Sequence, residues 1–278
     1  MTICVCGAGT MGSGIAQLAA QAGYATIQFD VNDQMLQKSK SAIEKSLGML
    51  ASKGKLSQDD AGGILGRIMF TSSISECKAD LIIEAIVEVK DQKVELFNQL
   101  AEFNTKETIF ATNTSSISVL DIASAVYNPA RVVGMHFFNP APVMKLVEVI
   151  KTGLTNEAVV KRVTEVAKAM GKTPVICSDA PGFIVNRVAR HFYLEAMKLV
   201  ELGIATPETV DAVMENSGFK MGPFKLMDLI GMDVNYSVSN IVWQALGQPL
   251  RLTPSPLQKA KVDAGQFGRK SGKGFYNY

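Results

Sequence analysis

The sequence predicts an α/β fold, a mostly parallel sheet covered by helices, followed by a smaller all-α unit. Three observations predict it. Over residues 1–180, short apolar runs alternate with longer amphipathic stretches, the pattern of successive β–α–β units. A glycine-rich turn, Gly7-Ala-Gly9-Thr-Met-Gly12, joins the first apolar run to the first helical one. Beyond Ser178 only helical patterns remain.

The elements follow in order. Residues 2–6 read as a strand, 11–23 as a helix and 25–30 as a second strand. A long helix at 33–53 and a shorter one at 57–66 precede strands at 68–72 and 81–85. A helix at 90–103 leads to strand-like runs at 108–112, 132–136 and 144–150. An amphipathic helix at 156–170 ends at Gly171, and 173–177 is the last strand. The segment Asp179-Ala-Pro-Gly182 reads as a hinge and as the boundary between domains 1–180 and 181–278. The second domain is expected to hold helices at 183–202, 207–216, 223–246 and 256–264, with Thr206 as an N-cap and Pro207 at the first helical position.

Composition narrows the class. The chain has 278 residues, 28 Lys+Arg against 26 Asp+Glu, 47% hydrophobic and 19% charged residues. That is enough chain to bury a core without disulfides or metals, and it excludes disorder and a disulfide-rich secreted scaffold. A net charge of +2 gives no global basic field for nucleic acid. The low charge fits an oligomer that hides part of its surface. Four cysteines (Cys4, Cys6, Cys77 and Cys177) show no metal spacing and suit a reducing cytoplasm. Thr2 to Phe29 carries no charge, but it lacks a basic leader and is interrupted by glycines, so it reads as a buried strand–turn–helix rather than a targeting or membrane segment. Cys4 and Cys6, two apart in a strand, share one face as buried thiols.

The glycine turn has a steric logic. Gly7 permits the tight turn, Gly9 lets a pyrophosphate approach the backbone, and Gly12 lets helix and strand pack closely. N–H groups at Thr10, Met11 and Gly12 open the helix and face the phosphates. Asp30, at the end of the next strand, is placed to accept from the ribose hydroxyls of a dinucleotide. The alternative is a plain glycine-rich turn with Asp30 as a helix N-cap. Asp30 disfavours a 2′-phosphate and no Arg follows it, so NAD is expected over NADP.

His136 ends a strand, where ligands bind in open α/β sheets, and is one of two histidines. Glu148, twelve residues on, lies between Val147 and Val149, an expensive place for a carboxylate without a partner. Singly, His136 can be a satisfied core histidine and Glu148 a solvent-facing strand residue. Beside a dinucleotide site, the pair reads as a general acid–base couple for oxidising a secondary alcohol. His191, mid-helix, reads as structural or surface. Asn113-Thr-Ser115-Ser116 follows another strand and either binds ligand or caps the next helix. Asn186 is either exposed in the first helical turn or a donor to a developing oxyanion. The stretch 33–55 carries Lys38, Lys40, Lys45, Lys53 and Lys55 against only Asp33 and Glu44, either a solvated face or a dock for a polyphosphate handle; Ser46 and Lys53 share one helix face.

Runs of this sequence resemble the 3-hydroxyacyl-CoA dehydrogenase family: GAGTMGSGIAQ, NTSS, GMHFFNPAPVMKLVEVI, APGFIVNR, MGPFKLMDLIG and GRKSGKGFY, in order along nearly the whole chain. The resemblance implies a Rossmann-like domain followed by a helical domain that completes the site and dimerises. It implies a homodimeric cytoplasmic enzyme interconverting (S)-3-hydroxybutyryl-CoA and acetoacetyl-CoA with NAD. It also implies His136 as catalytic base with Glu148 as partner, and Ser115 and Asn186 orienting the substrate oxygen. Coenzyme contacts are implied at Glu88, Lys93, Asn139 and Lys270, and CoA contacts at Ser46 and Lys53. Thr112 stands where a Ser is usual, which keeps the hydroxyl. The other readings are a dehydrogenase of a free 3-hydroxy acid, and a non-catalytic NAD-binding protein. No metal, nucleic acid or membrane partner is expected.

Overall fold

β1 (Thr2–Cys6), α1 (Thr10–Gln21) and β2 (Ala25–Phe29) form a β–α–β unit whose strands pair in parallel. Then come α2 (Asp33–Ser52), α3 (Gln58–Gly66), β3 (Ile68–Thr71), β4 (Leu81–Glu84), α4 (Lys90–Phe103) and β5 (Ile109–Thr112). The short α5 (Val119–Ala123), β6 (Val132–Phe137), β7 (Leu146–Lys151), α6 (Glu157–Ala169) and β8 (Thr173–Ser178) follow. The computed structural model describes residues 1–278, with Met1–Asp179 as one compact unit and Ala180–Tyr278 as another.

The first unit holds one sheet in the order β3-β2-β1-β4-β5-β6-β7-β8. Every neighbouring pair is parallel except β6 and β7, which are antiparallel. The chain builds outward from β1 to β3 and then crosses back to β4. That reversal opens a crevice beyond the carboxyl ends of β1 and β4. The strands are apolar because both faces are covered: all four residues of β4 and four of the five in β1 are buried. One core packs Ile3, Val5, Ile15, Ile83, Val133, Met135, Val147 and Val149 with Val159, Val163 and Val166 of α6. Each such side chain contributes roughly 1.5–3 kcal/mol when fully removed from water. A satellite core of Ile43, Leu47, Ile64 and Ile68 joins α2, α3 and β3. Cys4 and Cys6 do share a face; their sulfurs lie 3.8 Å apart in the interior, and their mutual hydrogen bond and burial hold the Cys4 thiol well above its ordinary pKa.

The second unit is α7 (Val185–Glu201), α8 (Pro207–Asn216), α9 (Pro223–Ile230), α10 (Met232–Ala245) and α11 (Pro256–Asp263), around Tyr193, Met197, Phe224, Met227, Met232 and Val242. The Thr206 hydroxyl caps α8 by accepting from Thr209 N, as expected of a Thr-Pro start. The single helix expected over 223–246 is two helices. Gly231 takes φ +103, and Met232 N donates to Phe267 O rather than continuing α9. A Cβ at Gly231 would sit 2.8 Å from Lys270 Nζ, so the break makes room for the C-terminal segment. That segment is anchored by two buried carboxylates. Asp228 accepts from Phe275 N (3.0 Å) and Tyr276 N (2.9 Å), and Asp211 accepts from the Tyr276 hydroxyl (2.8 Å). No helix is long and apolar enough to cross a membrane.

Candidate active site

The glycine turn closes as its sequence requires. Gly7 takes φ +105, and a Cβ there would lie 2.5 Å from Ala85 O. A Cβ on Gly12 would lie 1.8 Å from Gly7 O, so helix and turn meet at backbone contact. Gly9 has nothing within 4 Å of its Cβ position: its smallness leaves open space. It is also the N-cap of α1, and no side chain caps that helix. Uncapped N–H groups and a clear approach fit a phosphate-bearing ligand. The Asp30 carboxylate leans over the turn, accepting from Ala8 N at 2.7 Å and Asn32 N at 2.9 Å. The N-cap of α2 is Asn32, so Asp30 is not spent on capping. These residues fit a dinucleotide.

At the carboxyl ends of β4 and β5 lies a cluster that sequence spacing did not reveal. Glu84, fully buried, accepts from Lys93 Nζ (2.6 Å), Thr112 Oγ1 (2.7 Å) and Ile86 N (2.8 Å). Lys93 is itself 1% exposed and also lies 3.2 Å from Glu88. Burial pushes the Glu84 carboxyl up, against the pull of Lys93 and Thr112. Glu88 Oε1 accepts from Thr114 Oγ1 (2.7 Å), Ser115 N (2.9 Å), Ser115 Oγ (3.2 Å), Ser116 N (3.1 Å) and Ser116 Oγ (3.1 Å). Burial works to raise Glu88, but the Lys93 charge and these donors outweigh it and hold the carboxyl below its usual range. Glu88 is thus the post that folds the 113–116 loop. Asn113 Oδ1 accepts from Phe137 N at 2.8 Å, tying that loop to the end of β6. The sequence showed only polar residues at a strand end. α5, for which it offered Asn113–Ser116 as caps, is capped instead by Ser118, whose hydroxyl also donates to Asp179.

β6 and β7 place His136 opposite Glu148 in antiparallel register. His136 Nδ1 lies 2.8 Å from Glu148 Oε2, with the residues 6% and 1% exposed. Glu148 is therefore not on a solvent-facing side of its strand. The His136 ring packs on Phe138, centroids 4.5 Å apart. The carboxylate fixes the orientation of the ring. Asn139, just beyond, is exposed.

Ser46 and Lys53 lie toward the far end of α2, Ser46 half-buried and Lys53 exposed. That helix packs on α1, α3 and β3. β2, which leads into it, is four strands from β6, about 20 Å across the sheet at the usual strand spacing. The fold does not bring these two residues to the dyad; one ligand touching both needs a long handle. In the helical unit, Asn186 sits in the first turn of α7, where its carbonyl accepts from Arg190 Nε at 3.0 Å. Arg190, 3% exposed, bonds Asn235 O and Ser239 Oγ and no carboxylate; burial lowers its pKa to about 10. Lys270, on a 3₁₀ turn, pairs with Asp233 Oδ2 at 2.6 Å. His191 is on the surface, as expected.

Residues 2–180 match the family described as "3-hydroxyacyl-CoA dehydrogenase, NAD binding domain", and residues 182–278 its C-terminal domain. A probable 3-hydroxybutyryl-CoA dehydrogenase of Deinococcus radiodurans is 45% identical over 276 residues, 99% of each chain. The 3-hydroxyadipyl-CoA dehydrogenase of Escherichia coli K12 is 44% identical over all of this chain, which spans 59% of that protein's length. The crystal structure of an (S)-3-hydroxybutyryl-CoA dehydrogenase from Ralstonia eutropha superposes with a TM-score of 0.96 at 36% identity, covering 100% of this chain and 98% of that one. A dinucleotide turn, a buried imidazole–carboxylate pair at the carboxyl edge of the sheet, and matches along the whole length converge: the chain belongs to the 3-hydroxyacyl-CoA dehydrogenase family, and is an oxidoreductase that works with a nicotinamide coenzyme.

Proposed function

We propose that the protein interconverts (S)-3-hydroxybutyryl-CoA and acetoacetyl-CoA, with NAD as its coenzyme and His136 as the acid–base group. The observation that carries this reading is the His136–Glu148 contact, 2.8 Å long and buried at the carboxyl edge of the sheet. Bound NAD supplies the hydride acceptor. Nδ1 is engaged by Glu148, so Nε2 is the nitrogen that takes the proton of the substrate 3-hydroxyl; Glu148 stabilises the imidazolium that results. In reduction the charged ring returns that proton. Ser115, held by Glu88, and Asn186, at the start of α7, orient the substrate oxygen. Gly7, Gly9, Thr10, Met11 and Gly12 cradle the pyrophosphate and Asp30 the adenosine ribose. Glu88, Asn139 and Lys270 face the nicotinamide half. Lys93 acts there through Glu84 and Glu88, its two partners. Ser46 and Lys53 take the distal phosphates of CoA. A carboxylate at the ribose and no neighbouring Arg support NAD over NADP.

The helical domain, 181–278, completes the substrate site and carries the homodimer contact in this reading, and the free thiols suit the cytoplasm. The test is spectrophotometric. NADH oxidation is measured with acetoacetyl-CoA and with free acetoacetate, and repeated with NADPH. Rapid turnover of the thioester with NADH alone is the expected result. Equal rates on the free acid, or none on either, would remove CoA or catalysis from the assignment.

A further inference from the structure

The connection between the two members of the dyad is held by a lysine that the reaction does not otherwise use. Residues 138–145 link β6 to β7, and thus His136 to Glu148, and carry Asn139. They make their own turn, Val143 N and Met144 N both donating to Pro140 O at 3.0 Å. On one side they rest on α1: a Cβ at Gly14 would lie 2.9 Å from Pro142 Cδ and 3.1 Å from Ala141 Cβ. On the other stands Lys172, between α6 and β8, whose Nζ donates to Ala141 O (2.5 Å) and Met144 O (2.8 Å). Thr173 N donates to Lys145 O at 2.7 Å, closing the clasp.

Lys172 is 7% exposed and has no carboxylate within 4 Å; its ammonium is met by two carbonyls alone. The charges around it do not help. Lys145 lies on the loop it holds, Lys168 in the last turn of α6, and α1 contributes none because residues 2–29 are uncharged. Burial first, and Lys145 second, lower its pKa from 10.5 to about 8. The folded state therefore binds this proton less tightly than the unfolded chain does. Below about pH 8 the charge subtracts from stability, and the deficit is relieved as pH rises toward 10.5. Stability does not explain a buried, uncompensated charge; two hydrogen bonds to one loop do.

We propose that Lys172 is a positioning residue: its ammonium locks residues 138–145 in the shape that presents Asn139 to the coenzyme and keeps His136 opposite Glu148. This rests on the roles of Asn139 and the dyad proposed above. Where the amine loses its proton, its two bonds to Ala141 O and Met144 O lose their charge assistance and the lock loosens, so coenzyme affinity falls as pH rises through about 8.

The experiment uses the full chain with Lys172→Met, which keeps the stem and drops the charge, and Lys172→Arg, which keeps the charge at higher pH. Hydrogen exchange at 138–145, the NADH dissociation constant against pH, and melting temperature are read together. In Lys172→Met, exchange at 138–145 rises, NADH binds about tenfold more weakly at neutral pH, and the melting temperature is unchanged or higher. In Lys172→Arg, binding recovers and the alkaline weakening moves above its wild-type position. Wild-type exchange at 138–145 in Lys172→Met overturns the proposal, as does faster exchange with unchanged NADH binding and turnover. Should Lys172→Met not fold, Lys172→Arg decides, and a limb that stays near pH 8 overturns it. Asn139→Ala is the separate control: normal NADH binding there sinks the assigned role of Asn139, while the exchange result still judges the lock.

Discussion

Glu148→Gln separates charge from shape in the proposed dyad. The glutamine fills the same volume and can still accept a hydrogen bond, but it cannot neutralise an imidazolium. At 2.8 Å, and with an effective dielectric of 20, opposite unit charges attract by about 6 kcal/mol. Roughly half of that is not lost, because the amide carbonyl still accepts and the cost of burying the carboxylate disappears. The remaining loss of about 3 kcal/mol falls on the step that charges the ring, which slows turnover on the order of a hundredfold. Substrate-saturated NADH oxidation with acetoacetyl-CoA measures turnover, and NADH fluorescence measures coenzyme binding, which should stay near wild type because the glycine turn and Asp30 are untouched. The melting temperature should hold or rise, since a 1% exposed carboxylate has been removed. Near-normal turnover with coenzyme bound normally would take the carboxylate out of the mechanism and leave its contact with His136 a packing feature.

Two further perturbations test the surroundings. Gly9→Ala places a methyl in open space, so the fold should melt normally while NADH binding is lost; Gly12→Ala drives a methyl to 1.8 Å from Gly7 O and should lower the melting temperature as well. Equal melting behaviour in the two variants would contradict the distinct roles given to these glycines. Glu88 is held below its usual carboxyl range by Lys93 and by the 114–116 donors. Its stabilising contribution is complete above the ordinary carboxylate pKa and is lost as pH falls through its lowered folded value. Glu88→Gln should therefore flatten part of the acid limb of stability, seen as a smaller fall in melting temperature between neutral and acidic buffers than in wild type.

How far the sequence could be read varied with the range of the interaction. Elements governed by local pattern came through almost to the residue: β1, α4 and α8 lie where the apolar period and the Thr-Pro start put them. The helix expected over 223–246 failed because Gly231 sits between two runs of matching period, and only the C-terminal segment packing against it demands the break. A glycine between two helical runs was the available signal.

The sequence by itself determined the dinucleotide turn, since its constraints are steric and span a few neighbouring residues, and it singled out Glu148 as a carboxylate in need of a partner. The sequence also suggested His136 for that partner, and tertiary structure supplied the contact. The antiparallel register of β6 and β7, not the twelve-residue spacing, sets that carboxylate opposite His136. It also decided that Glu88 gathers the donors of residues 114–116 and that Lys172 grips a loop twenty-eight to thirty-one residues upstream. Local rules reach about one helical turn or one strand step, whereas these contacts depend on which strands lie side by side and on the few polar groups left buried when they do.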